Sequence, residues 1–141
     1  MMIDIFARDL AARYVALWNE PDAGLRRAAI RELWAEDGAH ILHPPQEARE
    51  AAARVGFAAS TFEAHGYDEL ELRVTRAYED FVAPGVYVFR PGPDVVRLRD
   101  VVKFTWEMAP AGGGDAAGGG VEFLVLGRDG RIKADYQFPG L

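Results

Sequence analysis

The sequence predicts an α+β fold in which helices cover one face of a curved antiparallel sheet. In the first half of the chain, apolar residues recur every three or four positions, as they do on the buried stripe of a helix. Beyond Gly66 they recur at every second position, as they do in a strand with one buried face. Helices followed by a run of hairpin-connected strands are the order expected when the helices pack together on one side of the sheet.

Length and composition limit what the chain can be. It has 141 residues, of which 50% are hydrophobic and 27% are charged, and this predicts one domain spanning residues 1–141. The formal net charge of −6 argues against a nucleic-acid partner, because phosphate binding needs clustered Lys and Arg. The absence of cysteine excludes disulfides, thiolate nucleophiles and Cys-ligated zinc.

The sequence carries no targeting signal that we recognise. No apolar stretch approaches the ~20 residues that a membrane span requires. The first residues lack the basic start and unbroken apolar run of a signal peptide. We therefore expect a cytoplasmic protein with no membrane partner, and we expect no cofactor.

Three helices are predicted in the first half of the chain. The first spans residues 3–18, where apolar side chains form one stripe. The second lies between a capping residue, Asp22, and a terminating Gly38. A short strand at 39–42, stopped by the prolines that follow His43, separates it from an alanine-rich third helix at 46–62.

The second half is predicted to form strands, because apolar and polar residues alternate there. The alternation predicts strands at 70–78, 86–89, 96–108, 121–126 and 131–138. A turn is expected at 91–94, and residues 110–120 contain six glycines and no large side chain, which predicts a flexible hairpin loop. Apolar residues occupy both faces of the last two strands. Either a second copy packed sheet to sheet, giving a homodimer, or the chain's own helices and loops must cover the outer face.

Three segments resemble one known superfamily. Residues 13–22 (RYVALWNEPD) and 32–39 (ELWAEDGA) look like the two opening helices of the nuclear transport factor 2-like, or SnoaL-like, superfamily, and residues 122–132 (EFLVLGRDGRI) resemble its closing hairpin. The resemblance implies a cystatin-like cone around an internal pocket. It leaves function open, because this scaffold hosts isomerases, cyclases, dehydratases, epoxide hydrolases and proteins without catalysis.

Among enzymes of that superfamily, ketosteroid isomerase offers the nearest comparison. Its members use a tyrosine and a protonated aspartic acid to hold an enolate, and an aspartate to abstract the proton. Tyr14 matches the tyrosine, and Glu122 falls near the protonated acid, with Glu in place of Asp. The family's Asp-Pro becomes His43-Pro44 here, and placing it requires one inserted residue. The resemblance therefore implies that Tyr14 and Glu122 are hydrogen-bond donors, and it places a histidine, His43, where the family has its aspartate base.

Two residues are candidates for the general base. His43 has an unperturbed pKa of about 6.5, suited to proton transfer near neutral pH. Asp100 shares the parity of the apolar residues in the strand predicted at 96–108 and points inward if that strand is unbroken, whereas a bend would return it to solvent. For Tyr14 and Glu122 the alternatives are a core tyrosine and an edge residue in water.

Metal binding is not expected, because His40 and His43 lie three residues apart on one strand and point to opposite faces. Aromatic side chains supply the surface that a small apolar ligand needs. The candidates for ligand contact are Trp18, Trp34, Phe104, Trp106, Tyr136 and Phe138.

The sequence therefore predicts binding of a small, largely apolar or carbonyl-bearing molecule in an internal pocket, either alone or together with acid–base chemistry next to a carbonyl. The candidate catalytic residues are Tyr14, His43, Asp100 and Glu122. The alternative is a non-catalytic dimerising module with a filled core. A cavity of ~300 Å³ or more, with at least two inward polar groups, distinguishes ligand binding from that alternative.

Overall fold

The computed structural model describes residues 4–57 and 61–140, and within them the chain forms four α-helices and a six-stranded sheet. The helices are α1 (Ile5–Asn19), α2 (Ala23–Leu33), α3 (Gln46–Arg54) and α4 (Gly66–Ala77), and a π-helical turn (Tyr78–Val82) continues α4. The strands are β1 (Trp34–Leu42), β2 (Phe62–His65), β3 (Tyr87–Leu98), β4 (Val101–Pro110), β5 (Gly118–Leu126) and β6 (Ile132–Pro139). Ile3 and residues 58–60, which the sequence assigned to helices, lie outside the described residues.

The strands follow the order β2-β1-β6-β5-β4-β3 across the sheet. Every neighbouring pair is antiparallel except β1 and β6, which run parallel because the chain returns to β1 only after a long connection. The α+β class and the strands predicted at 121–126 and 131–138 are confirmed. The parallel pair in the middle of the sheet was not predicted.

Aspartate caps fix the start of both opening helices. A carboxylate oxygen of Asp4 accepts a hydrogen bond from the Ala7 amide at 2.9 Å, and Asp22 accepts one from the Leu25 amide at 3.0 Å. The stripe of α1 that contains Tyr14 is buried against the sheet. None of the helices within the described ranges combines the length and hydropathy needed to cross a bilayer.

The end of α1 is tied to the sheet by Asn19. Its side-chain amide donates to the carbonyl oxygen of Phe89 at 2.6 Å and accepts from the amide of the same residue at 2.8 Å. An asparagine side chain has both a donor and an acceptor, so it can pair with both backbone groups of one residue. This anchor holds the second half of α1, including Trp18, over β3.

The strand predicted at 70–78 is wrong, because this segment forms α4. Leu70, Val74 and Ala77 are buried and lie on one helical face, whereas Leu72 is 56% exposed. The apolar residues of this short segment therefore fit a helical period as well as a strand period. In the helix, Arg73 lies beside the buried stripe rather than on an exposed strand face.

The predicted strand at 96–108 is also corrected, because the chain reverses direction within it. Arg99 adopts a left-handed conformation with φ 52, and Arg99 and Asp100 form the turn between β3 and β4. The turn expected at 91–94 is instead part of β3, where the pairing with β4 shifts register between Pro91 and Val95. The prolines are accommodated by that irregularity.

The glycine-rich segment is only partly a loop. Residues 111–117 connect β4 to β5, but Gly118–Gly120 already pair with Met108–Trp106 as the first residues of β5. Gly119 and Gly120 are buried. A Cβ built on Gly120 would lie 2.5 Å from the Trp106 ring and 2.7 Å from the Phe138 carbonyl oxygen, so only glycine fits there without a shift.

Candidate functional site

The helices and the inner face of the sheet enclose a cavity of about 490 Å³. Its wall is mostly apolar and aromatic, with the polar side chains of Tyr14, Arg73 and Gln137 among those that line it. Helix α1 contributes Tyr14 and Trp18, α4 contributes Arg73, and β4 contributes Trp106. Gly119 on β5 also lines the cavity, and it leaves room there because it has no side chain.

At one end of the cavity, the Tyr14 hydroxyl joins a buried polar cluster. It donates to Oδ2 of Asp135 at 2.5 Å and lies 3.1 Å from Oε2 of Glu122. Nδ1 of His40 lies 2.8 Å from the same Asp135 oxygen. All four side chains are buried, and only Tyr14 of the four lines the cavity.

The pKa values of the two carboxyl groups in the cluster are shifted in opposite directions. Burial, followed by the negative charge of Asp135, raises the pKa of Glu122 well above its usual value. Burial also acts to raise the pKa of Asp135, but His40 and hydrogen bonds from Glu122, His40 and Tyr14 outweigh it and lower that pKa. Two adjacent buried carboxylates cannot both be ionised at low cost, so Glu122 holds the proton and Asp135 the charge.

This protonation state also satisfies the oxygens that otherwise lack partners. Oε1 of Glu122 and Oδ1 of Asp135 are buried, and no described residue donates a hydrogen bond to either oxygen. A carboxylic acid can donate, so the proton on Glu122 can be shared with Asp135. Burial, and then the same acidic neighbours, raise the pKa of Tyr14 well above its ordinary value, so its hydroxyl stays neutral.

His40, Glu122 and Asp135 also offer three metal-ligand atoms within 4.8 Å of one another. One imidazole and two carboxylates form a donor set that suits a divalent transition metal. In the structure Oδ2 of Asp135 accepts hydrogen bonds from Tyr14 and His40, whereas Nε2 of His40 has no hydrogen-bond partner among the described residues.

Arg73 approaches the cavity from α4. Its guanidinium donates to Oε1 of Gln137 at 3.2 Å and lies 5.2 Å from the centre of the Trp18 ring. Burial lowers the pKa of Arg73, whereas Tyr14, Glu122 and Asp135 oppose that change. Gln137 lies opposite Glu122 on the neighbouring strand, so the two residues connect Arg73 with the acidic cluster.

The structure brings several of the sequence-predicted residues together. Tyr14 and Glu122 share a hydrogen bond, and Trp18 and Trp106 line the same cavity as Tyr14. Glu122 is fully buried beneath Tyr14 rather than on the cavity wall. The donor pair implied by the resemblance is thus present as a contact.

The two candidate bases lie elsewhere. His43 is exposed and stacks on Phe138, with ring centroids 5.8 Å apart. Asp100 is exposed in the turn between β3 and β4, because the strand that would have pointed it inward is broken there. Neither residue lines the cavity. Asp100 thus follows the alternative in which a bend returns it to solvent, and His43 does not face the cavity.

The remaining aromatic candidates separate into core and surface. Trp34 and Phe104 are buried in the core, with Phe104 packed edge-on against Tyr14 at 5.3 Å. Tyr136 and Phe138 are on the outer face of β6, 39% and 43% exposed. Their expected position toward the cavity is corrected, because the alternation of β6 turns its aromatic residues outward.

Sequence reasoning missed Asp135, Arg73 and Gln137, and it gave no role to His40. Asp135 and Gln137 share a parity within β6, but they face inward while Tyr136 and Phe138 face outward, opposite to the usual pattern. The signal that could have found them was Glu122, because its cross-strand neighbours on β6 must share its face.

Comparison with solved structures identifies the architecture. A candidate isomerase of the SnoaL-like family from Agrobacterium tumefaciens str. C58 matches with a TM-score of 0.76 at 23% identity, covering 96% of this chain and 98% of that one. An NTF2-like protein of unknown function from Exiguobacterium sp. 255-15 matches with a TM-score of 0.60 at 17% identity, covering 92% and 97%. The chain has the NTF2-like, SnoaL-like fold.

A third similar structure is a phenazine biosynthesis-related protein from Pseudomonas aeruginosa, with a TM-score of 0.55 at 16% identity and coverage of 96% of this chain and 81% of that one. No family model matches the sequence, and no curated protein sequence does either. At these identities the likeness establishes the NTF2-like fold alone, so function must be argued from the side chains.

Proposed function

We propose that this chain binds a small, largely apolar molecule in the cavity between α1, α4 and the sheet. The observation that carries the proposal is the cavity itself. Its volume of about 490 Å³ lies within the range of roughly 300–1,000 Å³ that is typical of small-molecule sites. Its apolar wall carries a few polar groups, Tyr14, Arg73 and Gln137, that can orient a ligand.

The rival function, a dimerising module with a filled core, is less well supported. A solid core would leave no space beside Tyr14, yet the cavity exceeds the threshold of ~300 Å³ and has more than two inward polar groups. Open space lined by buried aromatic residues costs stability, because the lining atoms lose packing contacts. A ligand that fills the space would recover those contacts.

The binding proposal can be tested with 2-acetylnaphthalene, a neutral aromatic ketone. We expect saturable one-to-one binding in calorimetry, accompanied by a change in tryptophan fluorescence, because Trp18 and Trp106 line the cavity. Met108→Trp should abolish binding, because Met108 lines the cavity and a larger ring there would fill it.

Leu25→Trp is the matched control, since Leu25 lies on α2 and is 58% exposed, away from the cavity wall. This variant should bind the ketone like the unmodified protein. Binding that persists unchanged in Met108→Trp, or no binding to the unmodified protein at all, would contradict the proposed site.

Acid–base chemistry next to a carbonyl is the second candidate, and the cluster of Tyr14, Glu122, Asp135 and His40 favours it. Perturbed and coupled titratable groups beside a cavity are typical of functional sites. The part of the cavity wall that the structure describes contains no carboxylate or imidazole, so the cluster would act through the Tyr14 hydroxyl. Glu122 can replace Tyr14 as the donor to Asp135 when Tyr14 turns to a ligand carbonyl, and water would accept the α-proton.

Proton exchange distinguishes this candidate from binding alone. In D₂O, the protein should accelerate exchange of the methyl protons of bound 2-acetylnaphthalene, measured by NMR. Tyr14→Phe should retain binding but lose the acceleration, because it removes the hydroxyl that, among the described residues, joins the cluster to the cavity. Equal exchange rates with and without protein would leave binding as the function.

We extend the proposal to a homodimer formed through the outer face of the sheet. Tyr136 and Phe138 are partly exposed there, and Phe123 packs edge-on against Phe138 with ring centroids 5.7 Å apart. Aromatic side chains grouped on an open sheet face are typical of a protein interface. A second copy presenting the same surface would cover them.

A further inference from the structure

Arg73 is the one charged side chain among the described residues that line the cavity. It projects from α4 and donates to Gln137, and within residues 4–57 and 61–140 its buried Nε has no hydrogen-bond partner. Burying a guanidinium is costly unless its donors are paired. The position of Arg73 therefore calls for an acceptor that the protein supplies only in part.

Two other unpartnered groups on the cavity wall are also donors. The buried indole N–H groups of Trp18 and Trp106 find no hydrogen-bond partner in the part of the chain that the structure describes, and both side chains line the cavity. Indole and guanidinium nitrogens can donate but cannot accept. A ligand that complements this wall therefore carries hydrogen-bond acceptors, and beside Arg73 a negatively charged acceptor is favoured.

The acidic cluster does not already neutralise Arg73 by direct contact. No carboxylate among the described residues lies within the 4.0 Å of an ion pair from its guanidinium. The charge of Asp135 is satisfied by Tyr14 and His40 instead, and Asp135 does not line the cavity. A ligand carboxylate would therefore meet Arg73 before it met Asp135.

We propose that the ligand is an apolar acid whose carboxylate is held by Arg73 while its apolar body lies among the aromatic side chains of the cavity. This inference rests on the proposed binding function and names its ligand class. The aromatic residues that line the cavity are Tyr14, Trp18, Phe62, Phe81, Phe89 and Trp106. They suit a flat apolar body, and Arg73 supplies the planar fork that matches a carboxylate.

The test compares 2-naphthoate with 2-naphthamide, which share a ring system and nearly the same shape but differ in charge. We expect calorimetry to show about tenfold or tighter binding of 2-naphthoate, because hydrogen bonds to a charged group are stronger than those between neutral groups. The amide should still bind, since the same aromatic wall receives its rings.

Arg73→Gln should remove the preference for 2-naphthoate and leave binding of 2-naphthamide nearly unchanged. Arg76→Gln is the matched control, because Arg76 lies three residues further along α4 and does not line this cavity. It should keep the preference. In the unmodified protein, the Nε–H resonance of Arg73 should shift on addition of 2-naphthoate, which provides a readout if Arg73→Gln does not fold.

Each outcome bears on the inference separately from the proposed function. Equal binding of the two probes, or an unmoved Arg73 resonance at saturation, would overturn the acid as ligand and leave pocket binding intact. A preference lost in Arg76→Gln would place the acid outside this cavity and also overturn it. If neither probe nor 2-acetylnaphthalene binds, the proposed function and the inference both fail.

Discussion

At the scale of single residues, the environment divides one kind of chemical group into two roles. Glu122 and Asp135 are both buried carboxyl groups beside Tyr14. Asp135 receives hydrogen bonds from Tyr14 and His40, which stabilise its charge, whereas Glu122 meets mainly a low-polarity surrounding and the charge of Asp135. Groups whose pKa values are pushed apart in this way can exchange a proton within the cluster.

The raised pKa of Glu122 predicts a pH dependence of stability. The native state binds its proton more tightly than the unfolded state, so its contribution is fully present below the unfolded value of 4.5 and is lost as pH rises through the folded pKa. Glu122→Gln keeps a neutral side chain of the same size and removes that loss. Relative to the unmodified protein, the variant should gain unfolding free energy above pH 4.5, by at most about 1.4 kcal/mol per pH unit.

Urea denaturation between pH 4 and pH 8 measures this difference, and parallel stability curves for the two proteins would contradict it. Asp135→Asn is the informative contrast. The lowered pKa of Asp135 gives stability that is present above 3.8 and lost as pH falls. Asp135→Asn should cost about 3–5 kcal/mol near neutral pH, because it removes one partner of a buried charged network.

The sequence predicted half of this cluster, and the reason lies in the pattern of β6. Tyr14 and Glu122 were accessible through the resemblance to the superfamily's opening helix and closing hairpin. Asp135 was not, because a strand normally buries its apolar face, and β6 buries Asp135 and Gln137 while exposing Tyr136. The pattern within β6 cannot reveal such an inversion. The pairing of Gln137 with Glu122 on β5 does, because paired residues share a face of the sheet and Asp135 lies on the same face as Gln137.

At the scale of elements, α4 shows where periodicity fails. Leu70, Leu72 and Val74 alternate as in a strand, but positions 70, 74 and 77 also share a helical face, and a segment this short fits both periods. The acidic first turn, Asp68 and Glu69, was the evidence for a helix start. The error concealed Arg73, because a strand assignment placed it on the solvent face.

The glycines that begin β5 predict a sharp contrast between two substitutions. Gly120→Ala should destabilise the protein by about 1–3 kcal/mol, because the added methyl group meets the Trp106 ring and the Phe138 backbone. Gly112→Ala should change stability by less than about 0.5 kcal/mol, since nothing lies within 4 Å of its built Cβ. Chemical denaturation measures both, and equal effects would show that the strand relaxes around residue 120.

The connection between β4 and β5 should tolerate shortening, up to a defined point. Residues 111–117 are mostly exposed, and deletion of Gly113, Gly114 and Asp115 leaves intact the backbone hydrogen bonds that Ala111 donates to Val86 and Ala117 donates to Met108. Because loop-closure entropy varies slowly with length, the melting temperature should change by less than about 5 °C. A larger fall in a thermal melt would show that these residues pack.

At the scale of the whole molecule, the sheet has two faces with different needs. The inner face forms the core and the cavity, with Phe104, Glu122 and Gln137 side by side across β4, β5 and β6. Phe123 and Tyr136 pair with each other in the next row of the sheet, and their side chains lie on the outer face. Helices α1, α2 and α4 pack on the inner side of the sheet, and Tyr136 on the outer face is 39% exposed.

The proposed homodimer would cover that partly exposed face, and it gives the last prediction. Light scattering at ~100 μM should show twice the chain mass, since burying grouped aromatic side chains favours association. Tyr136→Lys should yield a monomer, because it places a charge at the centre of the proposed interface beside Phe123, where a symmetric contact would bring two such charges together. Leu25→Lys changes a residue that is 58% exposed on α2, in the helical layer, and should remain dimeric. A monomer in the unmodified protein, or dissociation caused equally by Leu25→Lys, would contradict association through the sheet.

The cavity lies on the other side of the sheet, so monomeric Tyr136→Lys should still bind 2-acetylnaphthalene. This one variant therefore tests the dimer and the binding function separately.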